Sequence, residues 1–81
     1  MYLPIGGDLS VRDRSIVGIF DLDNTSYSKH TRVFLRRAEE NGEVASATDD
    51  LPKAFVLTQE YGLDRVFLTQ FNAATLEKRM K

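Results

Sequence analysis

Lys53-Ala54-Phe55-Val56-Leu57-Thr58 and Arg65-Val66-Phe67-Leu68-Thr69 are the two segments whose reading decides the fold. Both are rich in β-branched and aromatic residues. Asp49-Asp50-Leu51-Pro52 precedes the first, and Tyr61-Gly62 lies between them. Apolar runs punctuated in this way predict two strands joined as a hairpin, hence antiparallel. Successive strand side chains point to opposite faces, so Phe55 and Leu57 share one face and Ala54 and Val56 the other. Both faces are apolar, and such a strand needs a covering layer on each side.

Toward the N-terminus, Ile16-Val17-Gly18-Ile19-Phe20 reads the same way, as a strand buried on both faces. Met1 to Ile5 and Leu9 to Val11 are short extended candidates around a Gly6-Gly7-Asp8 turn. From Ser26 the period changes: Tyr27, Thr31, Phe34, Leu35 and Ala38 form one helical stripe. Asn24, Thr25 and Ser26 offer N-cap side chains, and Asn41-Gly42 is a natural helix stop. Tyr27 and Phe34 lie on the stripe and are read as core. Glu43 to Thr48 suits an edge strand, and Asn72 can cap a short C-terminal helix with Ala73, Leu76 and Met80 on one side. These elements predict a single α+β domain over residues 1–81: a small, mostly antiparallel sheet, one main helix and a short C-terminal helix. One helix and a tail helix cover about one side of such a sheet. A second copy of the chain must cover the other, which predicts a homo-oligomer.

Composition points the same way. A chain of 81 residues buries only about 60% of the surface its unfolded form exposes, so an additional stabilising device is expected. Without cysteine there is no disulfide framework and no thiolate metal site, and His30 is the sole histidine, read as a surface residue. No cofactor is expected. The opening Met1-Tyr2-Leu3-Pro4-Ile5-Gly6-Gly7 has neither the basic nor the apolar region of a secretion signal, and no apolar run reaches the ~20 residues of a membrane helix. A cytoplasmic protein without membrane partners is the expectation.

The net charge is −1, yet the charges are segregated. Lys29, Arg32, Arg36 and Arg37 fall in one stretch, and Lys78, Arg79 and Lys81 close the chain. Glu39, Glu40, Glu43, Asp49 and Asp50 lie between them. Lys29, Arg32 and Arg36 recur at i, i+3 and i+7, which puts a basic row on the outer surface of the main helix.

Phe20-Asp21-Leu22-Asp23-Asn24-Thr25, after an apolar strand, has the shape of the first motif of haloacid-dehalogenase-type phosphatases. There the first Asp attacks phosphorus and the second serves as acid and base, with Mg²⁺ neutralising charge. That chemistry sits at the carboxyl ends of a doubly wound parallel sheet, whose βαβ units need about 30 residues each. One helix of any length and a hairpin do not supply it, so Asp21 and Asp23 are read as a polar turn and the chain as a non-enzyme. An EF-hand reading fails as well, because Ser26 and Arg32 stand where that loop needs Gly and Glu.

Taken in order, Leu3-Pro4-Ile5-Gly6-Gly7-Asp8, Arg14-Ser15-Ile16-Val17-Gly18-Ile19-Phe20-Asp21, Phe34-Leu35, Pro52-Lys53-Ala54-Phe55-Val56-Leu57-Thr58 and Thr75-Leu76-Glu77-Lys78-Arg79 resemble the RemA/RemB family of bacterial extracellular matrix regulatory proteins, its RemB branch in particular. The resemblance covers nearly the whole chain. It implies a small α+β protein and, for the RemA branch, ring-shaped homo-oligomers that bind double-stranded promoter DNA and activate biofilm matrix genes. A ring lets many weak phosphate contacts sum to useful avidity. Arg14 matches a family arginine at a strand start and Arg79 one in the tail helix. Where RemA-type chains carry an arginine pair, this sequence has Asp49-Asp50-Leu51-Pro52, and Lys53 alone keeps a basic character there.

The residues expected to meet DNA are therefore Arg14, Lys29, Arg32, Arg36, Lys53 and Arg79. The expected function is regulation of matrix gene expression, with direct backbone contact or action through a partner regulator. An oligomeric scaffold that never touches DNA is the alternative, and phosphotransfer by Asp21 and Asp23 a distant third.

Overall fold

The computed structural model of the chain describes residues 2–22 and 29–79. Strand β1 (Tyr2–Gly6) turns back into β2 (Leu9–Arg12) as a separate two-stranded antiparallel hairpin. A 3₁₀ turn, Asp13–Ser15, leads into β3 (Ile16–Asp21), and helix α1 spans Lys29–Glu40. Strand β4 (Val44–Ser46) follows, then β5 (Ala54–Glu60), β6 (Leu63–Thr69) and helix α2 (Ala73–Arg79). The second sheet has the order β3-β5-β6-β4. β5 pairs antiparallel with both β3 and β6, while β4 runs parallel to β6.

The 53–58 and 65–69 segments form the expected hairpin, and Tyr61-Gly62 is its two-residue turn. Asn41-Gly42 ends α1 as read. Gly42 takes φ 71°, the Glu43 N–H donates to the Ala38 carbonyl at 2.8 Å, and the Gly42 N–H donates to that of Glu39 at 3.1 Å. Those two bonds and the left-handed glycine are a Schellman stop. At α2 the Asn72 side chain accepts the Thr75 N–H at 2.8 Å, the cap expected there.

Two expectations are corrected. The first concerns cover. Leu3, Ile5 and Val11 of the β1–β2 hairpin and Leu76 of α2 pack on Val56, so hairpin and tail helix together cover one face of the sheet. On the other face, Ala38 of α1 packs with Phe55 and Val66, with Leu35 and Leu68 beside them. Both faces are thus covered within one chain, because the N-terminal strands form a layer of their own and do not extend the sheet.

The second correction concerns β3, which is an edge strand and is not buried on both faces. Val17 is 61% exposed and Phe20 47%. The cause lies in the strand order: β5 takes the centre, and α1 packs toward β6 and β4. The register slips between Ile16 and Gly18, leaving Val17 as the extra residue of a bulge. Phe20 lies across Gly18, where an added Cβ would come within 2.7 Å of its ring, and stacks on Phe55 with centroids 5.0 Å apart. Phe34, expected in the core, touches the same cluster at 6.4 Å from Phe55 but remains partly exposed.

Asn24, Thr25, Ser26, Tyr27, Asp23, Met80 and Lys81, and the side chain of His30, lie outside the described residues, and with them the helix N-cap reading.

Candidate nucleic-acid interface

The cations expected to meet DNA are positioned by four local causes. Lys29, Arg32 and Arg36 project from α1, whose buried side is fixed by Ala38 against Phe55 and Val66; all three are exposed. Arg14 sits at the centre of the 3₁₀ turn, exposed between the hairpin and β3. Its neighbour Ser15 is buried and donates its hydroxyl to Glu60 at 2.5 Å, which pins this turn to the far end of β5.

Lys53 is exposed at the opposite end of that strand. Its N–H donates to the Thr69 carbonyl at 2.8 Å, and its carbonyl accepts the Leu22 N–H at 2.7 Å. Arg79 closes α2 with its guanidinium 4.5 Å from the centroid of the Phe71 ring. Stacking takes one face of that planar group and leaves its in-plane N–H donors for a carboxylate or phosphate.

Of the six, only the α1 row shares one surface. Arg14 and Lys53 are separated by the length of β5, roughly 20 Å at the usual rise per residue. The α1 row lies over one sheet face and Arg79 over the other, on the side of α2.

Carboxylates gather near the Lys53 end. Asp8 in the β1–β2 turn and Asp49 and Asp50 in the loop before β5 line one recess of about 430 Å³, together with Ser46, Thr48 and Gln70. Thr48 shapes the loop by accepting the Asp50 N–H on its hydroxyl at 3.0 Å. The side on which the family resemblance implies an arginine pair thus repels phosphate in this chain. Among the described residues, no group of three or more acidic or histidine side chains is arranged to hold a metal ion.

Asp21 has a structural use. Its carboxylate accepts the Ala73 N–H at 2.9 Å, so it caps α2, a helix 52 residues away. Strand order brings the end of β3 to the start of α2. Asp23, the other half of the phosphatase-like motif, lies outside the described residues.

Two arginines that sequence reasoning passed over, Arg12 of β2 and Arg65 of β6, line one cleft beside Glu60. No spacing rule links positions this far apart, so only the fold brings them together. A hydrogen bond to Tyr2, followed by electrostatic interaction with Tyr2 and with Glu60, holds the Arg12 guanidinium above its ordinary pKa. No helix among the described residues is long and apolar enough to cross a membrane.

None of the known protein-family models matches this chain. Extracellular matrix regulatory protein B of Bacillus subtilis (strain 168) is 30% identical to it over 79 residues, which is 98% of this chain and 89% of that protein. Similarity carried across the whole length, from the β1–β2 hairpin to α2, identifies more than a shared motif. The chain belongs to the family of extracellular matrix regulatory proteins.

Proposed function

We propose that this protein regulates the expression of extracellular matrix (biofilm) genes as a self-assembled ring that contacts the DNA backbone electrostatically. The full-length relationship to a matrix regulatory protein carries the regulatory reading. The DNA contact is drawn from α1, where Lys29, Arg32 and Arg36 present one basic row to solvent. A single row of this size binds weakly, and repetition around a closed assembly multiplies it. Arg14, Lys53 and Arg79 lie on other sides of the chain and can add phosphate contacts only where a neighbouring copy brings them alongside the row.

Self-assembly is supported by β3. From Ile16 to Phe20 it has no charged residue, no strand pairs with its outer side among the described residues, and Val17 and Phe20 stay exposed. Monomeric proteins protect such an edge with lysine, proline or a covering element. Here the bulge at Val17 is the main such device.

A second reading, an oligomeric scaffold that works through a partner regulator without touching DNA, is favoured by the Asp8, Asp49 and Asp50 recess. Deletion of the gene from its own bacterium, with matrix-gene transcripts counted, tests the regulatory claim. A fall in those transcripts that the restored gene reverses is expected. Unchanged transcripts would sink it.

A further inference from the structure

The β1–β2 hairpin covers only part of its sheet face. At the Glu60 end of β5 it leaves an open cleft of about 460 Å³, floored by the buried residues Ser15 and Thr58. That volume lies within the range of small-molecule sites. Arg12 reaches it from the hairpin and Arg65 from β6, where Arg65 stands opposite Thr58 in the strand register. Among the described residues, Glu60 is the one carboxylate lining the cleft against these two guanidiniums. It accepts the Ser15 hydroxyl at 2.5 Å and meets Arg12 only at 3.9 Å, so the ion pair is loose and leaves the Arg12 guanidinium open to a closer anion.

The rim is aromatic in a way that folding does not require. Tyr61 is 87% exposed and occupies φ 54°, a left-handed conformation that Asn or Gly would take with far less strain. Tyr2 is also exposed and lies beside Arg12, with the guanidinium 6.0 Å from its ring centroid. A strained residue kept with a large exposed ring points to use at that position. Two guanidiniums lining one cleft suit phosphate oxygens, and exposed tyrosine rings suit the flat face of a base.

We propose that this cleft binds a free mononucleotide, with its phosphate on Arg12 and Arg65 and its base against the Tyr61 ring. The phosphate replaces Glu60 as the partner of Arg12, while Ser15 retains the Glu60 carboxylate. The cleft is not lined by the α1 row of Lys29, Arg32 and Arg36, nor by Lys53 or Arg79, although Arg14 of the proposed DNA surface lies in the turn between its lining residues Arg12 and Ser15. It would give a regulator a metabolite to sense.

Isothermal titration of the full chain tests this with adenosine and guanosine mono- and diphosphates, inorganic phosphate, adenosine, and a short single-stranded oligonucleotide. Saturable binding of at least one mononucleotide is expected below about 1 mM, at least tenfold tighter than phosphate or adenosine. Arg65→Gln should weaken it about tenfold, and Arg36→Ala should leave it unchanged. Tyr61→Asn is the sharpest variant: it relaxes the turn, so the melting temperature should hold or rise while nucleotide binding falls. No saturable binding, phosphate binding as well as the nucleotides, binding of the oligonucleotide alone, or wild-type affinity in Tyr61→Asn would each overturn the proposal. All of these outcomes are independent of duplex DNA binding.

Discussion

Thr69 holds three parts of the fold together through one buried hydroxyl. It is fully buried at the end of β6, donates to the Ile5 carbonyl of β1 at 2.6 Å, and accepts the Phe71 N–H at 3.1 Å. Ile5 lies where the β1–β2 register slips, between Pro4 and Gly6, and Phe71 lies in the turn leading to α2. Thr69→Val keeps the shape and removes the hydroxyl from both partners. Each buried group left unsatisfied costs about 1–3 kcal/mol, so the variant, which orphans two, should lose roughly 2–6 kcal/mol. Thr69→Ser keeps the hydroxyl and loses a methyl group, which costs about 1 kcal/mol. A chain of 81 residues is expected to have only roughly 4–12 kcal/mol of stability in total, so the larger loss is a substantial part of it. Urea unfolding at fixed protein concentration measures both, and thermal unfolding should place the valine variant about 10 °C or more below wild type. A valine variant within about 0.5 kcal/mol of the serine variant would refute the claim that this hydroxyl joins hairpin, sheet and tail helix.

Asp21→Ala should cost about 1 kcal/mol by freeing the Ala73 N–H, whereas Asp21→Asn retains an acceptor and should stay close to wild type; equal losses on thermal melting would deny the capping role. Gly42→Ala forces a Cβ into the left-handed stop of α1 and should lower stability by about 1 kcal/mol, read from the urea midpoint; an unchanged midpoint would show that the Schellman stop does not depend on glycine. Val17→Lys places a charge on the exposed edge and should shift sedimentation toward the monomer; an unaltered mass would exclude β3 from the assembly contact.

Much of this fold was readable because its signals are local. The 53–58 and 65–69 runs, the Tyr61-Gly62 turn, the Asn41-Gly42 stop and the Asn72 cap each depend on a few neighbouring residues. What the sequence did not disclose depends on strand order. Ile16 to Phe20 has the composition of a central strand, and nothing within it says that β5 will take the centre and leave Val17 at an edge. Met1 to Ile5 and Leu9 to Val11 read as strands, but not as a separate layer that covers one sheet face and removes the need for a second copy there. Asp21 resembled half of a catalytic motif because its partner, the Ala73 N–H, lies in another part of the chain.

The candidate site divides in the same way. The Lys29, Arg32 and Arg36 row was legible from helical spacing. The separation of Arg14 from Lys53 by the length of β5 was not, and neither was the convergence of Arg12 and Arg65.

The central claim is that the α1 row meets DNA. Fluorescence anisotropy of labelled duplex DNA against the mass-verified assembly, from about 50 to 200 mM salt, tests it most directly. The account predicts binding that weakens steeply with salt and is abolished by joint reversal of Arg32→Glu and Arg36→Glu. Absence of binding at the low-salt end, or binding indifferent to those reversals, would contradict it.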